Sequence, residues 1–195
     1  MAAWARHTPA VIASVLVGVA GYCAPQAAGS PTPVITSPVF PAPSFPAAPV
    51  PGMDFYVDPV NGWSISYPVG WRVDGSNPSF VQIHDPANQA LVGVRVWPTD
   101  LPLNGVVNEM LAADQQLQSQ NGVTNVVKGR QLNVLPNGNP FVDVRVERQP
   151  GGRSHQIYAV KGGKAFGVNA EASAALWDSF NADFDRILQS FAPPR

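Results

Sequence analysis

The chain of 195 residues contains a single cysteine, Cys23, which lies in its N-terminal part. One cysteine cannot close a disulfide within the chain, and everything after it lacks a Cys-ligated zinc site, a C-x-x-C redox pair and a cysteine nucleophile. Cys23 is a candidate lipid-attachment residue because it follows an apolar run, although Tyr22 stands where the lipoprotein peptidase requires a small side chain. The alternatives are a pairing between chains and an unmodified apolar residue.

Charge is also scarce, since Asp, Glu, Lys and Arg make up 13% of the residues and the formal net charge is −1. Residues 8–53 contain none of the four. Nucleic-acid binding draws on a basic excess that releases counterions from phosphates, and a polybasic membrane patch needs the same excess. The composition therefore argues against nucleic acid as a partner and against a broad electrostatic contact with a membrane.

The N-terminal part divides into two segments. Arg6 and His7 precede an apolar run, Ala10–Ala20, which at 11 residues is too short for a spanning helix of about 20 residues. This pattern predicts a secretory signal peptide over residues 1–21, with no membrane span in the mature chain. Residues 22–53 are rich in proline, which removes backbone donors, so we expect a disordered linker with polyproline II character. We therefore predict a secreted or cell-envelope protein.

Residues 54–192 show the alternation and the helical periodicity of a folded domain. Two helices are predicted, over residues 103–120 with Asn104 as N-cap and over residues 174–191 with Ser173 as N-cap. The predicted strands cover residues 63–67, 80–84, 90–97, 123–135, 141–147, 154–161 and 164–170. The hairpins among the last three strands indicate an α+β fold, in which an antiparallel sheet packs against two main helices.

Large aromatic side chains are concentrated in the folded domain and are predicted to fill its core. The second predicted helix carries an aromatic stripe that includes Phe180 and Phe184. Such a stripe is more often core than a cofactor site, because each large side chain gains roughly 1.5–3 kcal/mol on burial. The tryptophans of the domain are Trp63, Trp71, Trp97 and Trp177.

No catalytic or metal-binding signature stands out. The sequence lacks a G-x-S-x-G elbow, an H-E-x-x-H pair and a phosphate-binding P-loop, so no catalytic residue, metal ligand or cofactor is predicted. His84 and His155 are the histidines of the domain, and either could serve a serine hydrolase if the fold brings a serine and an acid beside it. Late in the chain, basic residues interleaved with acids could form a patch for an anionic headgroup or partner. These are Arg145, Arg148, Arg153, Lys161 and Lys164.

Parts of the domain resemble a known family. The run Asn61–Trp71, NGWSISYPVGW, looks like the G-[FW]-x-[IV]-x-[YVM]-P-x-G-W opening of PsbP-like domains, and Phe184–Phe191 is similar to the last helix of that superfamily. His84-Asp85-Pro86 before a strand resembles the mycobacterial LpqN-type lipoproteins, which are exported to the actinobacterial envelope. The resemblance covers residues 55–191. It implies the PsbP-like fold and a non-enzymatic binding or accessory role, in some members beside lipid-export machinery.

Together these features predict a non-enzymatic, envelope-associated protein that binds through a sheet edge or through a groove between sheet and helix. The expected partner is an envelope protein, or a lipid or glycolipid of the envelope. The chain is expected to be a monomer without a cofactor. Two alternatives stay open: a small extracellular hydrolase that uses His84 or His155, and a secreted structural or antigen-like protein.

Overall fold

Nine strands and two helices make up the part of the chain that the computed structural model describes, residues 49–194. In chain order they are β1 Met53–Val57, β2 Ser64–Pro68, β3 Arg72–Asp74, β4 Phe80–His84, β5 Ala90–Pro98, α1 Leu103–Gln120, β6 Thr124–Val134, β7 Pro140–Gln149, β8 Gly152–Lys161, β9 Lys164–Ser173 and α2 Trp177–Ser190. This set confirms the predicted α+β fold with two helices on an antiparallel sheet. The predicted signal peptide, Cys23 and most of the predicted linker lie outside the described residues.

Seven of the strands form one antiparallel sheet in the order β3-β4-β5-β9-β8-β7-β6, so that β3 and β6 are its edges. Strands β7, β8 and β9 pair in sequence and form an antiparallel meander, which confirms the predicted hairpins among the last three strands. The turn between β8 and β9 is Gly162-Gly163, with φ angles of 58° and 72°. Two successive positive φ values are what a type I′ hairpin turn requires, and glycine adopts them without strain.

Alternation along the strands divides the core into two clusters, one under each helix. Ile157 belongs to the larger cluster under α2, whereas its neighbour Tyr158 belongs to the cluster under α1. The predicted aromatic core is largely present, since three of the four tryptophans are buried in the larger cluster. Trp97 is only partly buried and packs against the smaller cluster. The buried three are Trp63, Trp71 and Trp177.

The first predicted N-cap is wrong, although the predicted bounds of helix α1 are those of the structure. The residue before the helix is Pro102, and no side chain caps it. Asn104 lies inside the first turn, where its Oδ1 accepts a hydrogen bond from Arg130 Nη2 at 3.3 Å. The helix ends in a left-handed stop, because Gly122 follows it with a φ of 70°.

The second predicted N-cap is also wrong, because strand β9 is longer than expected. Ser173 is the last residue of β9, where it pairs with Gly152 of β8. The chain then turns once, with the Leu176 N–H donating to the Ser173 carbonyl at 3.1 Å, and α2 begins at Trp177. Pairing to β8 therefore delays the start of the helix by three residues relative to the prediction.

Strands β1 and β3 lie outside the predicted set. β1 pairs only with β2, in a two-stranded sheet of its own, and β3 is a three-residue edge strand. The alternation of β1 is weak, because Phe55 and Tyr56 are adjacent and both are partly buried. Its ladder with β2 therefore defines the strand more than its own sequence pattern does.

Candidate functional site

His155 lies on β8 beneath α2 and is 4% exposed. Its Nε2 is 2.6 Å from Asp143 Oδ2, and its Nδ1 is 3.1 Å from Asp185 Oδ1 at an angle outside hydrogen-bond geometry. Arg145 also contacts Asp185, at 3.4 Å. Ser154 points to the opposite face of the sheet. Within residues 49–194 no serine hydroxyl is among the hydrogen-bond partners of His155, so no hydrolase triad is assembled around it.

His84 and Asp85, the other candidate pair, belong to a structural turn at the end of β4. The Asp85 side chain is buried, and its carboxylate accepts hydrogen bonds from the backbone N–H groups of Ala87, Gln89 and Ala90. A carboxylate that accepts hydrogen bonds from three backbone N–H groups stabilises the conformation of the loop. The connection between β4 and β5 therefore explains Asp85, while His84 is the last residue of β4 and pairs with Arg72 of β3 and Leu91 of β5.

The five late basic residues do not form one patch. Arg145 and Arg153 lie on the face of the sheet under α2, whereas Arg148 lies on the face under α1. Lys161 and Lys164 flank the β8–β9 turn. The predicted basic cluster is thus divided among two faces and one end of the sheet, and only Arg145 and Arg153 share a site.

Arg148 is the centre of a polar cluster that the sequence did not reveal. Its Nη1 is 2.7 Å from Glu171 Oε2 and its Nη2 is 3.6 Å from Asp114 Oδ2, while 13% of its side chain is exposed. Asn125 donates to Asp114 at 2.8 Å, and Asn169 donates to Glu171 at 3.0 Å. Burial acts to lower the pKa of Arg148, but the two carboxylates outweigh it and hold that pKa above its ordinary value. The cluster ties α1 to strands β6, β7 and β9.

Tyr158, in the same layer, makes stability depend on pH. Its hydroxyl donates to Gln156 Oε1 at 2.7 Å, and burial, assisted by Asp114, raises the pKa of Tyr158 well above its ordinary value of 10.0. Above about pH 10 the unfolded phenol loses its proton while the folded one keeps it, so stability falls as pH rises. We expect the unfolding free energy to drop by up to about 1.4 kcal/mol per pH unit there.

Urea unfolding between about pH 9 and 11 measures this slope, and Tyr158→Phe should reduce it. Tyr56 and Tyr67 contribute in the same direction, because burial raises the pKa of both. The comparison is therefore between the variant and the wild type at each pH. An unchanged slope in Tyr158→Phe would contradict the assignment to this residue.

Strand β6 is a long, accessible edge of the sheet. Its eleven residues pair with β7 alone among the described strands, and Leu132 and Val134 are each 63% exposed. Edge strands are commonly protected by charges and bulges, and the first half of β6 has both, Lys128 and an irregularity between Val127 and Gly129. The four residues Gln131–Val134 carry no charge, proline or bulge; we call them the open half of β6.

A pocket of about 280 Å³ lies beside the first half of β6. Basic side chains from three neighbouring strands line it together with one acid, Glu147, and the first residue of α2. A hydrogen bond from Lys128 lowers the pKa of the Glu147 carboxyl below its ordinary value. The full lining is Lys128, Arg145, Val146, Glu147, Arg153, Ser154 and Trp177.

Other kinds of site are not evident in the described part of the chain. Residues 49–194 contain no group of three or more His, Cys, Asp or Glu placed to hold a metal ion. No helix among them is long and apolar enough to cross a membrane. Residues 49–194 thus form an α+β antiparallel-sheet domain that has an accessible sheet edge at β6 and a basic pocket beside it.

The sequence profile of the PsbP family matches residues 51–192, and the chain therefore belongs to the PsbP family, which is not a known enzyme family. The solution structure of cyanobacterial PsbP (CyanoP) from Synechocystis is similar to it, with a TM-score of 0.59 and 15% identity over 77% of this chain and 98% of that one. At that identity the likeness shows the fold. The resemblance to PsbP-like domains is confirmed, while the LpqN-type assignment stays a prediction.

Two further solved structures align less well. A protein from Bacteroides thetaiotaomicron has a TM-score of 0.40 and 10% identity over 74% of this chain and 49% of its own. A protein of unknown function from Pseudomonas aeruginosa has a TM-score of 0.43 and 13% identity over 73% of this chain and 98% of its own. A comparison with curated proteins finds no match.

Proposed function

We propose that this PsbP-family domain is a non-enzymatic accessory protein that works outside the cytoplasm, at the cell envelope, and binds another envelope protein through the open half of β6. The observation that carries the proposal is the exposure of Leu132 and Val134 side by side on one face of an edge strand. The predicted signal peptide and linker support the location. The resemblance of His84-Asp85-Pro86 to the LpqN-type lipoproteins agrees with it.

The form of the edge favours an extended segment as the occupant. An unpaired strand edge presents a row of N–H and C=O groups that a further strand can pair with, which is a common mode of peptide recognition. Leu132 and Val134 are two residues apart and share one face, so alternating apolar side chains on the partner would cover them.

The positive charge of β6 favours a partner segment that contains acidic residues. Lys128 and Arg130 precede the open half, and β6 contains no acidic residue. Arg130 is held towards α1 by Asn108 Oδ1, which accepts its Nη1 donor at 2.7 Å. Because opposite charges favour register and encounter, we expect the partner's segment to carry acidic residues beside its apolar ones.

The test is photo-crosslinking in envelope extracts, with the crosslinking amino acid at Asn133 in every variant. Leu132→Lys/Val134→Lys places two charges in the contact and is expected to lower the yield about tenfold or more, the equivalent of at least about 1.4 kcal/mol. The matched control is Val60→Lys/Val69→Lys, which makes the same change at residues that are 67% and 69% exposed outside β6. The control should crosslink as the wild type does.

Three outcomes would count against the proposal. Equal yields from the two double variants would show that the open half is not the contact. Crosslinks formed only with a second copy of the chain would make β6 a self-association edge, and crosslinks formed only with lipid would replace the protein partner by an envelope lipid. Far-ultraviolet circular dichroism of each variant establishes that it is folded.

A further inference from the structure

We infer that the pocket between β6, β7, β8 and α2 is a binding site for a phosphate-type anion, either free phosphate or the phosphomonoester of a lipid headgroup. This inference goes beyond the proposed protein contact, because it concerns a small ligand and side chains outside the open half of β6. It rests on the three cations that line the pocket, on the long ion-pair contacts of its two arginines and on the start of helix α2 beside it.

The sheet register brings the three cations together. Glu147 pairs with Arg153 across β7 and β8, and Arg145 lies two residues before Glu147 on the same face. The irregularity between Val127 and Gly129 adds a residue to β6, and Lys128 Nζ reaches Glu147 Oε2 at 2.9 Å. Three adjacent strands thus contribute one or more charges each. With three bases and one acid, the lining has a formal charge of +2, and outside the lining Asp185 and Asp178 each contact one of its arginines.

The two arginines of the pocket are loosely held. Arg145 lies 3.4 Å from Asp185 and Arg153 lies 3.5 Å from Asp178, a carboxylate whose side chain is 93% exposed. Strong charge-assisted hydrogen bonds are shorter, about 2.7–2.9 Å. A guanidinium has five N–H donors, and each of these two makes a single ion-pair contact within residues 49–194. Most of their donors are therefore available to a ligand.

The start of α2 adds backbone N–H donors beside the pocket, and its first turn also carries one acid, Asp178. Trp177 lines the pocket and is the first residue of this 14-residue helix, and no side chain caps the helix start. The unsatisfied N–H groups of a helix start carry partial positive charge and favour anions. In this pocket the N–H groups supplement the three basic side chains and would not form an anion site by themselves.

The arrangement suits a tetrahedral oxyanion with two negative charges. Two guanidinium groups can each donate a pair of parallel hydrogen bonds to phosphate oxygens, and the two arginines match the two charges of the ligand. The Glu147 carboxylate would repel the ligand, but Lys128 neutralises it at 2.9 Å. A volume of about 280 Å³ leaves space beyond the phosphate for the group that it esterifies.

The first test is an NMR titration with inorganic phosphate, followed at the indole N–H of Trp177, against sodium chloride at equal ionic strength. We expect saturable shifts with phosphate and none with chloride. Lys128→Gln/Arg153→Gln should weaken binding about tenfold or more, whereas Lys161→Gln/Arg186→Gln, which removes the same charge elsewhere, should leave it unchanged. Shifts that do not saturate, that chloride reproduces, or that the two double variants lose equally would overturn the inference.

A second arm identifies the source of the phosphate. Vesicles of phosphatidylcholine with phosphatidate present a phosphomonoester headgroup, and vesicles of phosphatidylcholine alone do not. Binding to the former that inorganic phosphate displaces indicates a lipid ligand, and binding of inorganic phosphate alone indicates a free anion. Leu132→Lys/Val134→Lys should bind phosphate as the wild type does, so failure of the protein contact and failure of this site are separable.

Discussion

Phe184→Ala is expected to lower the free energy of unfolding by about 4 kcal/mol, because it truncates a ring that packs against three other aromatic rings in the core under α2. Phe184 is fully buried. Its ring centroid lies 5.3 Å from that of Trp177, 5.9 Å from Phe180 and 6.4 Å from Trp71. The alanine leaves a cavity that three rigid rings cannot fill, so the lost contacts are not regained. Urea unfolding followed by circular dichroism measures the change.

The control is Phe180→Ala, which makes the same truncation on the same helix. Phe180 is only partly buried, and its ring contacts Phe184 and Trp71, which is also a neighbour of Phe184. Folding buries less apolar surface of Phe180 than of Phe184, so the loss of unfolding free energy should be about half as large. Similar losses from the two variants would mean that the core does not centre on Phe184.

Much of this fold could be predicted because its elements follow simple periodicities. The bounds of α1 are those expected from its apolar spacing, and strands β4 and β7–β9 lie where alternation places them within a few residues. The buried face of α2 contains Phe184, Ile187 and Leu188, which are members of the predicted stripe. In these segments local pattern and tertiary packing favour the same structure.

The predictions failed where a distant strand decides a local structure. Ser173 could cap a helix, but its pairing with Gly152 keeps it in β9. β1 is a strand because β2 offers it a ladder, and the weak alternation of its own residues does not indicate one. Such pairings depend on contacts that no window of sequence contains.

The candidate sites were less accessible to prediction than the fold, for the same reason. His155 acquires Asp143 from the neighbouring strand and Asp185 from a helix 30 residues further along the chain. The basic residues look like one cluster in sequence, and only the alternation of β7 separates Arg145 from Arg148. That β6 is an edge follows from the order of all seven strands, which its own alternation does not reveal.

Arg148→Met is expected to lower the free energy of unfolding by about 3 kcal/mol, which makes it the second large effect. The side chains of Arg148 and Glu171 are each 13% exposed, and that of Asp114 is 19% exposed. Methionine has a side-chain volume similar to that of arginine, but it carries no charge. Both carboxylates therefore lose their cation in a site that is largely shielded from solvent. Losing one member of such a cluster costs more than the intact cluster contributes, because the remaining charges are then uncompensated.

Arg186→Met is the matched control, since Arg186 is 50% exposed and contacts Asp183 at 3.8 Å on the same helix. An exposed pair of this kind contributes about 0–1 kcal/mol, so the control should unfold nearly as the wild type does. Adding Glu171→Gln to Arg148→Met should recover part of the lost unfolding free energy, because it removes one of the two carboxylates that the first substitution leaves unpaired. If Arg148→Met costs no more than Arg186→Met, water must already reach the Arg148 cluster, and the tie between α1 and the sheet rests on Val106 and Val107 instead.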